Sequence, residues 1–337
     1  MKKIVFYIKG IYNGGTEIAL LNLISALDKS LYDIYIVNED YENYNETIVE
    51  KMKNYAKIIE LQEIETDALI YCTAPNKDMS EIMSKIKYKK AFFWFHYFSN
   101  SQLNFLEKVN LEKLVDNVIV VCETIKKRIL NLEMYKNFSK NVISIYNILP
   151  VENIFEKSKE EIDLELSDNL NLITVGRLCK EKGFYRMKHL MDMFAKNNID
   201  FKWHVLGCAS NEADENEIRQ LMSHYPENVI MHGYQENPYK YIPKCDYLVL
   251  LSDEENMPFV VVEAKVLGVP CILTDFDSAY EQIDDMKNGI ILSREDLTTY
   301  ENRVNDILKN KEMFKEEVKK YKYSNEESID KWNEILN

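Results

Sequence analysis

Short apolar runs alternate along this chain with longer stretches whose apolar residues recur at helical spacing. A short, unbroken apolar run suits a strand covered on both faces, and such strands belong to parallel sheets flanked by helices. In the first half the runs are Ile4–Ile8, Ile34–Val37, Ala68–Cys72, Ala91–Phe95, Val118–Cys122 and Val142–Tyr146. After a polar stretch the rhythm restarts with Leu170–Val175, Trp203–Leu206, Tyr247–Leu251, Cys271–Thr274 and Ile290–Leu292. The helix candidates between them are Thr16–Leu27, Thr124–Leu132, Phe184–Lys196, Asn216–Ser223 and Leu297–Leu308. This alternation predicts α/β architecture, and its interruption predicts two doubly wound domains.

The chain has 337 residues, more than one ordinary domain holds. The run Glu156–Glu161 has almost no apolar content. The expected division is therefore 1–155, a linker at 156–168, a second domain at 169–320 and a terminal helix at 321–337, with a cleft between the domains. In that last segment Ile329, Trp332 and Leu336 fall on one helical face.

The formal net charge is −14, from 42 basic against 56 acidic residues. Residues 1–150 balance, so the excess lies in the second half. Nucleic acid is thereby a poor partner. The first half carries two compact basic groups, Lys85, Lys87, Lys89 and Lys90, then Lys126, Lys127 and Arg128, which suit either solvent or an anionic membrane surface. No apolar stretch is long enough to span a bilayer, and Lys9 cuts the opening run short, so the expected location is cytoplasmic. The six cysteines lie far apart and read as small core residues in a reducing compartment. Two glycosylation sequons, at Asn45 and Asn137, would be irrelevant there.

The chemistry concentrates where predicted strands end. After Tyr247–Leu251 comes Glu255-Asn256-Met257-Pro258-Phe259-Val260-Val261-Val262-Glu263. Pro258 suits the first position of a helix, whose free N–H groups would face the carboxyl edge of a sheet, a place for anions or sugar hydroxyls. Val260–Val262 would also suit a strand, and Pro258 with Glu263-Ala264-Lys265 favours the helix. After Leu170–Val175 comes Gly176-Arg177, then Lys182-Gly183. A planar guanidinium and a mobile ammonium together suit a diphosphate. In the first half Gly14-Gly15-Thr16-Glu17 joins a strand to a helix, but its spacing is not that of a dinucleotide site. His96 closes the aromatic run Phe93-Trp94-Phe95.

Together these pieces resemble the retaining glycosyltransferases of glycosyltransferase family 4, which have the GT-B fold. The resemblance spans nearly the whole chain and also rests on Asn147, Gly207, Gly233 and Gly268-Val269-Pro270. It implies that Arg177 and Lys182 hold the donor diphosphate and that Glu263 binds the nucleoside ribose. It implies further that Glu255 contacts the donor sugar, with Asn256, Met257, Pro258 and Phe259 seating sugar and phosphate. His96 would lie by the transferred sugar. Gly15 would leave room for phosphate or acceptor, in an acceptor site of Gly14, Gly15, Thr16 and Glu17. The terminal helix would pack back on the first domain. Asn256 replaces the family's usual glycine, and Cys208 stands where an acidic residue is common.

On this resemblance the reaction moves a hexose from a nucleotide diphosphate sugar, UDP first, to a surface-polysaccharide or lipid-linked glycan acceptor. Fixed cations and helix N–H groups stabilise the departing diphosphate most in the transition state, so no protein acid is needed there. A glycosidase would need one. No metal or cofactor is expected, and Asp275-Phe276-Asp277 is read as structural. The competing class is a non-catalytic GT-B subunit that binds another transferase. A phosphorylase dependent on pyridoxal phosphate fits poorly, for want of a suitable lysine context.

Overall fold

The computed structural model describes residues 1–12, 14–40, 44–73, 79–96, 114–132, 142–209 and 211–337. The chain divides into two compact units, one of Met1–Leu149 with Ser324–Asn337, the other of Pro150–Tyr323.

The first unit is a parallel sheet of β1 (Lys2–Ile8), β2 (Tyr32–Asn38), β3 (Lys57–Ile59), β4 (Ile64–Tyr71), β5 (Ile86–Phe95), β6 (Asn117–Val120) and β7 (Val142–Ser144). Its helices are α1 (Gly15–Ala26), α2 (Glu46–Lys53), α3 (Met79–Lys85) and α4 (Glu123–Leu130). The second unit opens with α5 (Val151–Ser158) and β8 (Leu170–Val175), then runs through α6 (Phe184–Lys196), β9 (Phe201–Leu206), α7 (Glu212–Met222) and β10 (Val229–Gly233). It continues with β11 (Tyr247–Leu250), α8 (Phe259–Val266), β12 (Cys271–Thr274), α9 (Ala279–Gln282), β13 (Gly289–Leu292), α10 (Tyr300–Lys309) and α11 (Lys311–Val318). The helix α12 (Glu326–Leu336) returns to the first unit.

Strand order is β3-β2-β1-β4-β5-β6-β7 in one sheet and β10-β9-β8-β11-β12-β13 in the other. In both, the chain starts centrally, winds to one edge, then crosses back and winds to the opposite edge. The reversal leaves a crevice beyond the carboxyl ends of β1 and β4, and of β8 and β11, where open α/β sheets bind ligands. The apolar runs explain the cores: Ile4–Ile8 and Leu172–Ile173 are fully buried, and Trp203, Tyr247 and Phe194 pack with the central strands of the second sheet.

Two strands have no counterpart in the apolar runs, β3 and β10, and both lie at sheet edges. Lys57-Ile58-Ile59 and Val229–Gly233 are only partly buried and so lack the continuous apolar signature, unlike the edge strand β13, which is buried throughout. The 156–168 stretch expected to be linker begins inside α5, and the units part earlier, between Leu149 and Pro150. In α5 the apolar Val151, Ile154 and Phe155 stand at helical spacing, and Ile154 is the one that is buried. Cys208 corrects the reading of all cysteines as core residues, since it is exposed while the other five are buried.

The terminal helix buries Ser328, Trp332 and Leu336, with Ile329 half-buried. Trp332 meets Trp94 of β5 edge-on, ring centroids 4.8 Å apart. Asn325 grips Leu149 twice, accepting from its N–H at 3.0 Å and donating to its carbonyl at 2.7 Å. At the far end the Lys2 ammonium donates to the Asn337 backbone oxygen at 2.5 Å. Of the basic groups, Lys89 pairs with Asp67 at 2.7 Å, Lys85 with Glu81 at 3.6 Å and Lys126 with Glu123 at 3.8 Å. Among the described residues no helix is long and apolar enough to cross a membrane.

Candidate functional site

The loop after β8 and the loop after β11 are neighbours because β8 and β11 are hydrogen-bonded strands at the reversal of the second sheet. Two glycines set their approach. A Cβ on Gly207, after β9, would lie 1.8 Å from the Gly176 carbonyl oxygen, so only glycine lets these two strand ends touch. Gly183 has φ +70°, and a Cβ there would lie 2.0 Å from the Leu251 carbonyl oxygen. It therefore brings the start of α6 directly onto the end of β11.

Between these glycines Leu178 and Cys179 are buried and anchor the loop, while Arg177 is exposed. Lys182 closes a short 3₁₀ turn, Lys180–Lys182. Its ammonium pairs with the Glu255 carboxylate, and both side chains are largely buried. The Ser252 hydroxyl donates to the same Glu255 oxygen at 2.8 Å. Arg177 and Lys182 act on a common neighbour: both lower the Glu181 carboxyl, behind the larger effects of hydrogen bonds from Cys179 and the backbone. Two cations thus converge on one turn at the sheet's carboxyl edge.

The Glu255 loop is held at nearly every residue. Arg186, the third residue of α6 and almost fully buried, donates to the Leu251 carbonyl at 3.0 Å, the Arg294 carbonyl at 3.1 Å and the Asp253 carboxylate at 2.6 Å. Arg294 donates to the Asp253 carbonyl at 2.6 Å, and the Asp253 N–H donates to the Glu181 carbonyl at 2.8 Å. The Thr274 hydroxyl holds the Ser252 carbonyl at 2.5 Å. Sequence reasoning missed Arg186 and Arg294. An arginine inside an amphipathic helix reads as surface, and the only available signal was its place among apolar neighbours, Phe184 and Met187.

Pro258 is the N-cap of α8 rather than its first residue, with φ −63° and ψ 123°, and the helix opens at Phe259. The ring permits this extended backbone as readily as a helical one. Val260–Val262 are helical, with Val261 and Val262 buried. Asn256 is buried, and Met257, Pro258 and Phe259 are half-buried around the helix N-terminus. One turn into α8 the Glu263 carboxylate accepts from the Tyr239 hydroxyl at 3.0 Å. Burial raises this carboxyl to about 7, and the Tyr239 hydrogen bond opposes the rise.

The remaining sequence-predicted residues lie in the first unit, at the reversal of its own sheet. Gly14 caps α1, Gly15 and Thr16 begin it, and no atom lies within 4 Å of a Cβ built on Gly15. Glu17 is buried and turned back on its own loop: burial raises its carboxyl, while backbone N–H groups at Glu17, Tyr12 and Gly14 oppose the rise. It braces the turn. His96 follows β5 with its ring 4.0 Å from that of Trp94, and burial lowers it to about 3, so the imidazole is neutral. Asp275 and Asp277 both face Arg294, at 3.1 and 3.8 Å. Among the described residues no group of three or more His, Cys, Asp or Glu is placed to hold a metal.

A family model described as glycosyl transferases group 1 matches residues 156–326, the second unit with its site. An uncharacterized glycosyltransferase of Haemophilus influenzae is 25% identical, with 100% of each chain covered. The amylovoran biosynthesis glycosyltransferase AmsD of Erwinia amylovora is 24% identical, again over 100% of both chains. Among solved structures, Anabaena Alr3699/HepE in complex with UDP and glucose superposes with a TM-score of 0.77, at 15% identity, covering 100% of this chain and 99% of that one. The architecture is the GT-B fold, two parallel-sheet units of this kind in one chain.

Proposed function

This chain belongs to the glycosyl transferases group 1 family, and from the geometry of its second unit we propose that it is a retaining hexosyltransferase. In this reading it takes a sugar from a nucleotide diphosphate donor, UDP first, and delivers it to a surface-polysaccharide or lipid-linked glycan. The observation that carries the reading is the meeting of Lys182 with Glu255 at the reversal of the second sheet. An ammonium and a carboxylate that neutralise each other there are matched to a ligand with one anionic and one hydroxyl-rich part. A bound diphosphate takes over the ammonium, and sugar hydroxyls donate to the freed carboxylate.

Arg177 contributes a second, planar contact to the diphosphate, and the N–H groups at the start of α8 face the same charge. Negative charge grows on the diphosphate as the glycosidic bond breaks, so these fixed positive groups bind the transition state more tightly than the ground state. The acceptor attacks from the side of the leaving group, whose phosphate takes the acceptor's proton, and the anomeric configuration is retained. No metal is needed in this scheme because protein cations supply the neutralising charge. Glu263 takes the ribose, His96 stands by the transferred sugar, and Gly14, Gly15 and Thr16 frame the acceptor.

The relatives support this reading. The Erwinia protein is named for amylovoran biosynthesis, and the Anabaena structure was solved with UDP and glucose. The exposed Lys87, Lys89 and Lys90 of β5 suit a cytoplasmic enzyme that touches an anionic membrane surface to meet a lipid-linked acceptor. A screen of UDP-, GDP- and ADP-sugars, read as release of the nucleoside diphosphate, tests the proposal. Release from one sugar nucleotide class supports it; release from none, with acceptor glycans supplied, refutes it.

A further inference from the structure

Glu263 is held by a chain of hydrogen bonds that begins outside its own helix. The Asn237 side chain donates to the Lys157 carbonyl at the end of α5, at 3.0 Å, and accepts from the Tyr239 N–H at 3.1 Å. The Tyr239 hydroxyl then donates to Glu263 Oε1 at 3.0 Å. Among the described residues Glu263 Oε2 makes no hydrogen bond. We infer that Tyr239 is a positioning residue for the nucleoside end of the donor, occupying one oxygen of Glu263 so that the other is presented to the vicinal hydroxyls of a ribose. This rests on the donor reading above and adds to it a residue that neither the motifs nor the proposed roles include.

The chemistry follows from the donor count. A carboxylate accepts from ribose hydroxyls, whereas a protonated carboxyl spends one oxygen as a donor. Tyr239 favours the carboxylate, because its hydroxyl donates and is itself kept protonated by burial and by Glu263. The groups that bear on Glu263 are few. Tyr239 faces it from the segment after β10, and among the described residues no cation or second carboxylate adds to its shift. Lys265, two positions along α8, is turned instead to the Gln282 carbonyl and the Tyr321 ring. With the carboxyl brought to about 7 by burial, nucleotide affinity should fall as pH drops through neutrality.

The test is calorimetric binding of UDP between pH 5.5 and 9 to the full chain and to Tyr239→Phe and Glu263→Gln. Glu263→Gln should bind more weakly and report the titration of UDP itself, whose terminal phosphate titrates at about 6. Against that baseline, Tyr239→Phe should move the midpoint up by about one pH unit, the scale of a hydrogen bond to a charged group. Its affinity should then be about fivefold weaker at pH 7 and restored at pH 9. A merely structural tyrosine would weaken binding equally at every pH. UDP binding with an unmoved midpoint in Tyr239→Phe overturns this inference alone. Absence of UDP binding to the parent chain, or an affinity unchanged in Glu263→Gln, overturns the donor reading and this inference with it.

Discussion

Replacing Arg186 with leucine should destabilise the second unit by about 3 kcal/mol. The guanidinium is 3% exposed and satisfies the carbonyls of Leu251 and Arg294 and the carboxylate of Asp253. Each buried carbonyl left without a donor costs about 1–3 kcal/mol. The Asp253 side chain is 43% exposed, so its carboxylate rehydrates and adds little. Leucine recovers part of the loss by burying its own apolar surface at a position that is 3% exposed, which brings the sum to about 3 kcal/mol. Arg186→Lys keeps the charge and one donor direction, and should lose about half as much. Hydrogen exchange in rising urea, followed on peptides of Pro150–Tyr323, isolates this unit from the other. A loss below about 1 kcal/mol for the leucine variant would refute the argument that Arg186 sustains the Glu255 loop.

Two further outcomes are expected. Glu255→Gln should lower turnover at least about tenfold while leaving UDP affinity within about threefold, because its proposed role is toward the sugar, whereas Glu263→Gln should harm both; steady-state kinetics with parallel calorimetry separates them, and equal behaviour would mean the roles are misassigned. Trp332→Ala should cost the first unit about 3–5 kcal/mol, because a side chain that is 1% exposed and packed edge-on against Trp94 leaves a cavity. Urea denaturation that leaves the Met1–Leu149 peptides unaffected would show that α12 is not part of that core.

Central strands are legible in the sequence because burial on both faces favours apolar residues at successive positions, unbroken at Ile4–Ile8 and predominant at Leu170–Val175. The edge strands β3 and β10 are not, although the edge strands β7 and β13 are: β10 carries His232 and an exposed Met231, which break the apolar run. The site is legible where glycine or charge follows a strand end directly, as with Gly176-Arg177, Lys182-Gly183 and the Glu255–Glu263 spacing. What escaped notice depends on contacts between distant segments. Arg186 reaches Asp253 across 67 positions, and Tyr239 reaches Glu263 across 24. Glu17, which the resemblance places in the acceptor site, is buried, with its carboxylate accepting from N–H groups of its own turn, a local arrangement that residue type alone does not reveal.

The most direct measurement is the dissociation constant of UDP for the parent chain, Arg177→Ala and Lys182→Ala, side by side at low and moderate salt. Both variants should bind at least about tenfold more weakly, each having lost a charge-assisted contact to phosphate. Affinities indistinguishable from the parent in both variants would place the nucleotide elsewhere and contradict the site described above.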